Sequence, residues 1–268
     1  IIYDDDYIIE KFVTGLQYPT TMTFVGDDIL VLEKNTGKVI RISDNGVLYN
    51  EIALDVPVIQ QAETGLLGIT SVSNHIFLYF TESMSGIDQF DFRNTRNVVY
   101  QYHWNGENLT NPILIKELPS IHSDHNGGVM TKGLNNEIYF VIGDQDKRTI
   151  FQNVPTGFDS TTNETGVIFK MDTENICTDI CTELFAIGIR NSFGLAVDPV
   201  TGYLWETENG PDAFDEINLV KPGFNSGWVS VMGPSMIVLE DKQKGLTYMS
   251  DTINSDLSIL NQKPFENF

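Results

Sequence analysis

A short β-rich unit recurs four times in this chain, and that recurrence limits the fold more than any single motif. Its most regular run appears as Ile29–Leu32, Ile76–Tyr79, Ile138–Val141 and Tyr203–Glu206. The first residues are 29, 76, 138 and 203, so the spacings are 47, 62 and 65 residues. Before each run lies a segment holding Met22, Ile69, Val129 or Leu195, and after each comes a third: Val39–Ile42, Val98–Tyr102, Val167–Met171 and Ile217–Val220. β-Branched and aromatic residues fill these runs, while Gly, Asn and Asp mark the turns, including Gly26-Asp27-Asp28 and Leu134-Asn135-Asn136. Sustained helical periodicity is nearly absent. One antiparallel unit cannot bury both its faces, so neighbours must stack, and a β-propeller closes such a stack with short edges only. The expectation is an all-β, single-domain propeller over residues 1–268. Tyr7–Val13 reads as a lone N-terminal strand. The residues after Val231 hold no clean fifth unit, so either a four-bladed ring or a larger ring with later blades absent fits.

Charge narrows the partners. Sixteen Lys and Arg against 37 Asp and Glu give a net charge of −21. Phosphate backbones and anionic lipid surfaces repel such a chain, so neither nucleic acid nor a membrane surface is expected as partner. The longest apolar stretches, Ile76–Phe80 and Ile138–Ile142, are too short for a membrane span. The opening Ile-Ile-Tyr-Asp-Asp-Asp has no basic region, so no export signal is expected within these residues. Cys177 and Cys181 stand four apart, open to a small disulfide ring or to two free thiols. With the triplets at Asn108 and Asn163 and the low lysine content, they favour a secreted or periplasmic protein.

Four segments hold candidate chemistry. Leu118–Gly128 carries His122 and His125 in a turn-rich stretch, which suits either a plain turn or a general base at the propeller mouth. Ala186–Gly194 carries Arg190, readable as a surface ion pair or as a fixed cation beside developing negative charge. Glu206–Glu216 offers six side chains with carboxylate or carboxamide oxygens, suited to a solvated loop or a calcium shell, though its spacing is not that of an EF-hand. Glu63 precedes Gly65-Leu-Leu-Gly68. Nucleophile elbows, Walker loops, zincin His pairs and dinucleotide fingerprints are absent from the sequence.

In order, Glu63–Gly68, Asp124–Gly128, Ile142–Gln145, Gly188–Asn191 with Gly194-Leu-Ala, Glu208–Pro211 leading to Asp215–Leu219, and Gly223–Trp228 resemble the soluble sugar dehydrogenases that use pyrroloquinoline quinone (PQQ). That superfamily also includes the aldose sugar dehydrogenases and the hedgehog-interacting-protein ectodomain. The resemblance implies a six-bladed propeller, with about four blades in this chain and the later ones missing after about residue 233. It implies His125 as catalytic base and Asp144 as the carboxylate that orients it. Arg190 and Asn191 would contact the quinone, and Glu63 would lie near substrate and cofactor. The carbonyls of Gly210 and Pro211 would bind the catalytic Ca²⁺, and Glu216 a second, structural one. Asn209 stands where the family has Gln or His, and no segment after Gly233 resembles the family's further cationic contacts. The implied activity is oxidation of an aldose to its lactone, with electrons passed to an external acceptor. The rivals are a calcium-binding propeller that binds protein or glycan, and a cofactor-free lactonase.

Overall fold

The computed structural model describes residues 8–145, 164–173, 182–211, 214–228, 232, 237–239 and 246–248. Four of its sheets are successive propeller blades. The first runs β1 (Pro19–Val25), β2 (Asp28–Glu33), β3 (Lys38–Ser43), β4 (Leu48–Asp55), and the second β5 (Leu66–Val72), β6 (His75–Ser83), β7 (Thr95–Trp104), β8 (Leu109–Leu118). The third holds β9 (Met130–Lys132), β10 (Ile138–Ile142), β11 (Val167–Met171) and β12 (Thr182–Ile187), and the fourth β13 (Ser192–Val197), β14 (Leu204–Glu208) and β15 (Glu216–Val220). Strands within each blade pair antiparallel in sequence order. The first strands touch in succession, β1 with β5, β5 with β9 and β9 with β13, which makes the stack radial.

Middle strands explain the continuous apolar runs. Ile76, Leu78 and Phe80 of β6 join the core shared with Leu30 and Leu32 of blade one. Their neighbours Phe77 and Tyr79 join Ile138, Phe140 and Ile142 of blade three. On β10 the alternates Tyr139 and Val141 pack with Leu204 and Val220 of blade four. A strand sandwiched between two blades is apolar at every position, not at every second one.

Three features differ from expectation. Residues 8–13 form no strand, because no sheet edge pairs with them; Val13 and Leu16 instead pack on Ile29, Val31 and Ile42. A two-residue strand, β16 (Phe224–Asn225), adds in parallel to β12. Beyond it, β17 (Ile237–Leu239) and β18 (Leu246–Tyr248) form an antiparallel pair where no fifth unit was legible. Cys177 and Cys181 lie outside the described residues, as does Asn163.

Each blade has its first hairpin turn, and in the four-stranded blades its third, at one end, with its middle hairpin and the inter-blade linkers at the other. Glu63, His125, Asp144, Arg190, Asn191, Gly210 and Pro211 all fall in this second set of connections. Antiparallel topology alone therefore brings residues up to 148 positions apart (63 to 211) to one mouth.

Candidate active site

The His125 loop is held from below by a buried polar network. Asn97 Nδ2 donates to Pro119 O at 2.8 Å and to Asn126 Oδ1 at 2.9 Å, while Thr81 Oγ1 donates to Asn97 Oδ1 at 2.7 Å. Gln145 accepts from Ile121 N at 2.6 Å and donates to Pro119 O at 2.7 Å. The Tyr79 hydroxyl donates to Asn126 O at 3.0 Å, and burial pushes its pKa well up, so it remains a donor. Satisfied networks of this kind rigidify a loop. Glycine does the rest: a Cβ on Gly128 (φ +96°) would meet Leu67 Cβ at 2.5 Å, and one on Gly143 would meet the carbonyls of His125 and Arg190 at 2.5 and 2.7 Å. Only bare backbone lets these loops approach so closely.

His125 is 8% exposed and sits at φ 58°. Its backbone N–H donates to Glu63 Oε2 at 2.6 Å, and its ring Nδ1 lies 2.5 Å from Asp144 Oδ1. Asp144 takes a further bond from Trp228 Nε1 at 2.6 Å on its other oxygen, and its backbone N–H donates to Arg190 O at 2.8 Å. A carboxylate facing Nδ1 places the imidazole proton there, leaving the Nε2 lone pair able to accept a proton. Nε2 makes no hydrogen bond to the described residues.

Arg190 is likewise tied down. Its N–H donates to Glu208 Oε1 at 2.6 Å, and Nη1 donates to the carbonyls of Asn209 and Gly210 at 2.8 and 3.3 Å. Its guanidinium carbon lies 5.3 Å from the Trp228 ring centre. Asn191 Nδ2 donates to Glu63 Oε2 at 3.1 Å, while its Oδ1 is buried without a partner. Hydrogen bonds thus link Glu63, His125, Asp144, Arg190 and Asn191 into one cluster.

Glu216 stands apart. It shares Asn218 Nδ2 and Ser226 Oγ with Glu208, and Asn218 also reaches Glu206. Burial and the Glu208 carboxylate hold the Glu206 carboxyl well above the ordinary range. Among the described residues, no three His, Cys, Asp or Glu side chains are grouped to hold a metal. Gly210 O already accepts from Arg190, and Gly210 N donates to Asp215 Oδ1 at 2.9 Å.

The sequence reading missed Trp228, Glu208 and Lys34 as contributors. Trp228 was visible only as the end of a Gly-x-x-x-Gly-Trp stretch. Lys34 Nζ donates to Ala62 O at 2.6 Å beside Glu63; burial lowers its pKa and the Glu63 charge opposes that. His122, on the same loop as His125, is half-buried, and its Nδ1 accepts locally from Asp124 N at 3.2 Å.

Comparison with known proteins agrees with this geometry. The family model described as glucose/sorbosone dehydrogenase matches residues 16–240. Quinoprotein glucose dehydrogenase B of Acinetobacter calcoaceticus is 27% identical over 251 residues, covering 82% of this chain and 52% of that protein. The aldose sugar dehydrogenase YliI of Escherichia coli K12 is 46% identical over 46 residues, 17% of this chain and 12% of its own. The PQQ-bound aldose sugar dehydrogenase of Streptomyces coelicolor superimposes with a TM-score of 0.67 at 25% identity, covering 85% of this chain and 67% of that one. The chain spans about half the length of the curated relatives it matches over most of its own length.

Proposed function

The chain belongs to the glucose/sorbosone dehydrogenase family, and from that premise we propose that it is the catalytic half of a PQQ- and Ca²⁺-dependent aldose dehydrogenase. The whole protein would be a single six-bladed propeller, secreted or periplasmic, that passes electrons to an external acceptor. The observation carrying the reading is the buried His125–Asp144 pair at 2.5 Å, with Nε2 left open.

His125 Nε2 takes the proton of the anomeric hydroxyl as the C1 hydride departs, and the sugar leaves as a lactone. Asp144, held by Trp228, stabilises the imidazolium that forms. PQQ, when bound, would supply the two-electron acceptor for that hydride, with Ca²⁺ as a Lewis acid beside it. The residues present suit such a ligand: Arg190 brings positive charge, and the orphaned Asn191 Oδ1 offers an acceptor from within the wall. Arg190, Asn191 and Glu63 would hold the cofactor. The carbonyls of Gly210 and Pro211 would face the metal, and Glu216 a second Ca²⁺. Asn191 Nδ2 and the His125 backbone N–H both donate to Glu63 Oε2, which fixes that carboxylate in place.

Titrating metal-free, full-length protein with PQQ and Ca²⁺ while following absorbance tests this. Saturable spectral binding, then bleaching of the quinone by an aldose, is expected. A protein that takes no PQQ would return the reading to a calcium-binding recognition module.

A further inference from the structure

At the opposite end of the propeller, among the outer turns, a cleft of about 810 Å³ opens between blades one and two. Its walls are the β1–β2 and β3–β4 turns on one side, and the β5–β6 turn with the end of β7 on the other. None of the residues assigned above to catalysis, cofactor or metal lies there. We propose that this cleft binds a neutral saccharide, a site that goes beyond the dehydrogenase reading and stands without it.

The floor is built around Arg41. Its Nε donates to Asp28 Oδ1 at 2.8 Å, and its guanidinium carbon lies 4.1 Å from the Tyr49 ring centre and 5.5 Å from that of Trp104. Trp104 is only 7% exposed, so the cation is clamped on a rigid aromatic seat. Its Nη groups make no bond to the described residues.

The rim is equally selective about what is left over. Asn45 Oδ1 is taken by Ser43 Oγ at 2.6 Å, which leaves its amide NH₂ free. Asn105 Oδ1 accepts from the N–H groups of Glu107 and Asn108 at 2.9 and 2.8 Å, again leaving the NH₂. Asp27 and Asp44 make no side-chain hydrogen bond to the described residues, and they set two acceptors beside these donors.

Ligand chemistry follows by exclusion and by match. An anion would meet Arg41 but also three aspartates, so charge disfavours it. A metal would need grouped ligands, and no three acidic or His side chains are so placed among the described residues. A hydroxyl both donates and accepts, so a polyol satisfies interleaved amide donors and carboxylate acceptors without adding charge. The volume falls in the range of about 300–1,000 Å³ typical of small-molecule sites, and the open side leaves room for a chain to run through.

Calorimetric titration of cellotriose, maltotriose and chitotriose into the full-length protein tests the site. At least one should bind, with affinity at least tenfold weaker in Asp44→Ala and in Asn74→Ala, whose side chains sit on exposed turns of the two walls. Binding should be unchanged in His125→Ala. Three results would each overturn the proposal: silence from all three sugars, binding that Asp44→Ala and Asn74→Ala leave intact, or binding that His125→Ala removes. Because the readout is binding and uses no PQQ, its failure leaves the dehydrogenase reading untouched, and the reverse also holds.

Discussion

Asp144 divides its two oxygens between His125 and Trp228, so the imidazole and the indole are coupled through one carboxylate. Replacing His125 with Ala should lower turnover by about 10²–10⁴-fold, the usual contribution of a general base, with PQQ affinity little changed. His122→Ala should stay near wild type, since that ring is half-buried and bonded only within its own turn. A damaging His122→Ala would mean the loop presents the other histidine. Trp228→Phe keeps a ring beside Arg190 but deletes the donor to Asp144. A hydrogen bond to a charged group contributes about 1.5–3 kcal/mol, so kcat should fall roughly 10- to 100-fold while KM and quinone affinity hold. A loss of PQQ binding in Trp228→Phe would show a packing role instead. Of these residues, His125 and Asp144 were legible from short local motifs. The Trp228 partnership was not, because it spans 84 positions and exists only once the chain beyond blade four returns to β12 of blade three.

Strand β14 shows how an element can hide its chemistry. As a string, Leu204-Trp-Glu-Thr-Glu208 led into an acidic loop suited to solvent or calcium. As a strand, its period of two turns Leu204, Glu206 and Glu208 together toward blade three, where each is at most 2% exposed. The raised Glu206 pKa has a definite sign in stability. Below the ordinary carboxylate value of 4.5, folded and unfolded chains both hold the proton and burial costs nothing. As pH rises through that value, the unfolded chain releases its proton first and stability is lost. Glu206→Gln, which retains an acceptor for Asn218, should therefore stabilise the protein near neutral pH and do nothing at about pH 4 or below. Urea denaturation in calcium-free buffer at both pH values measures this; equal gains at both would show that packing, not ionisation, is responsible. The middle strands were readable because sandwiching makes them apolar throughout. The segment 8–13 was misread as a strand: only Val13 packs on blade one, without joining a sheet, while Ile8, Ile9 and Phe12 stay exposed.

At the scale of the whole molecule, the two terminal blades present apolar side chains to solvent: Met22 and Phe24 on one, Phe193 and Ile217 on the other, each about half exposed or more. The mouth has a matching shortage, of metal ligands. Ca²⁺ takes 6–8 oxygens, whereas the proposed site offers the carbonyls of Gly210 and Pro211, and Gly210 O already accepts from Arg190 at 3.3 Å. No grouped acidic side chains among the described residues make up the difference. The remaining oxygens must come from water and from the quinone, so metal and cofactor should complete each other's site. Linkage then requires that each tighten the other by the same factor, in the range of about 5- to 150-fold common for coupled ligands. Calorimetric titration of PQQ into full-length protein, at low and at saturating Ca²⁺, gives one side of the cycle, and Ca²⁺ titration with and without PQQ gives the other. A lactonase-like propeller would bind its metal tightly through side chains with no quinone present. Equal PQQ affinity at both Ca²⁺ levels would place the metal elsewhere and remove Gly210 and Pro211 from the site.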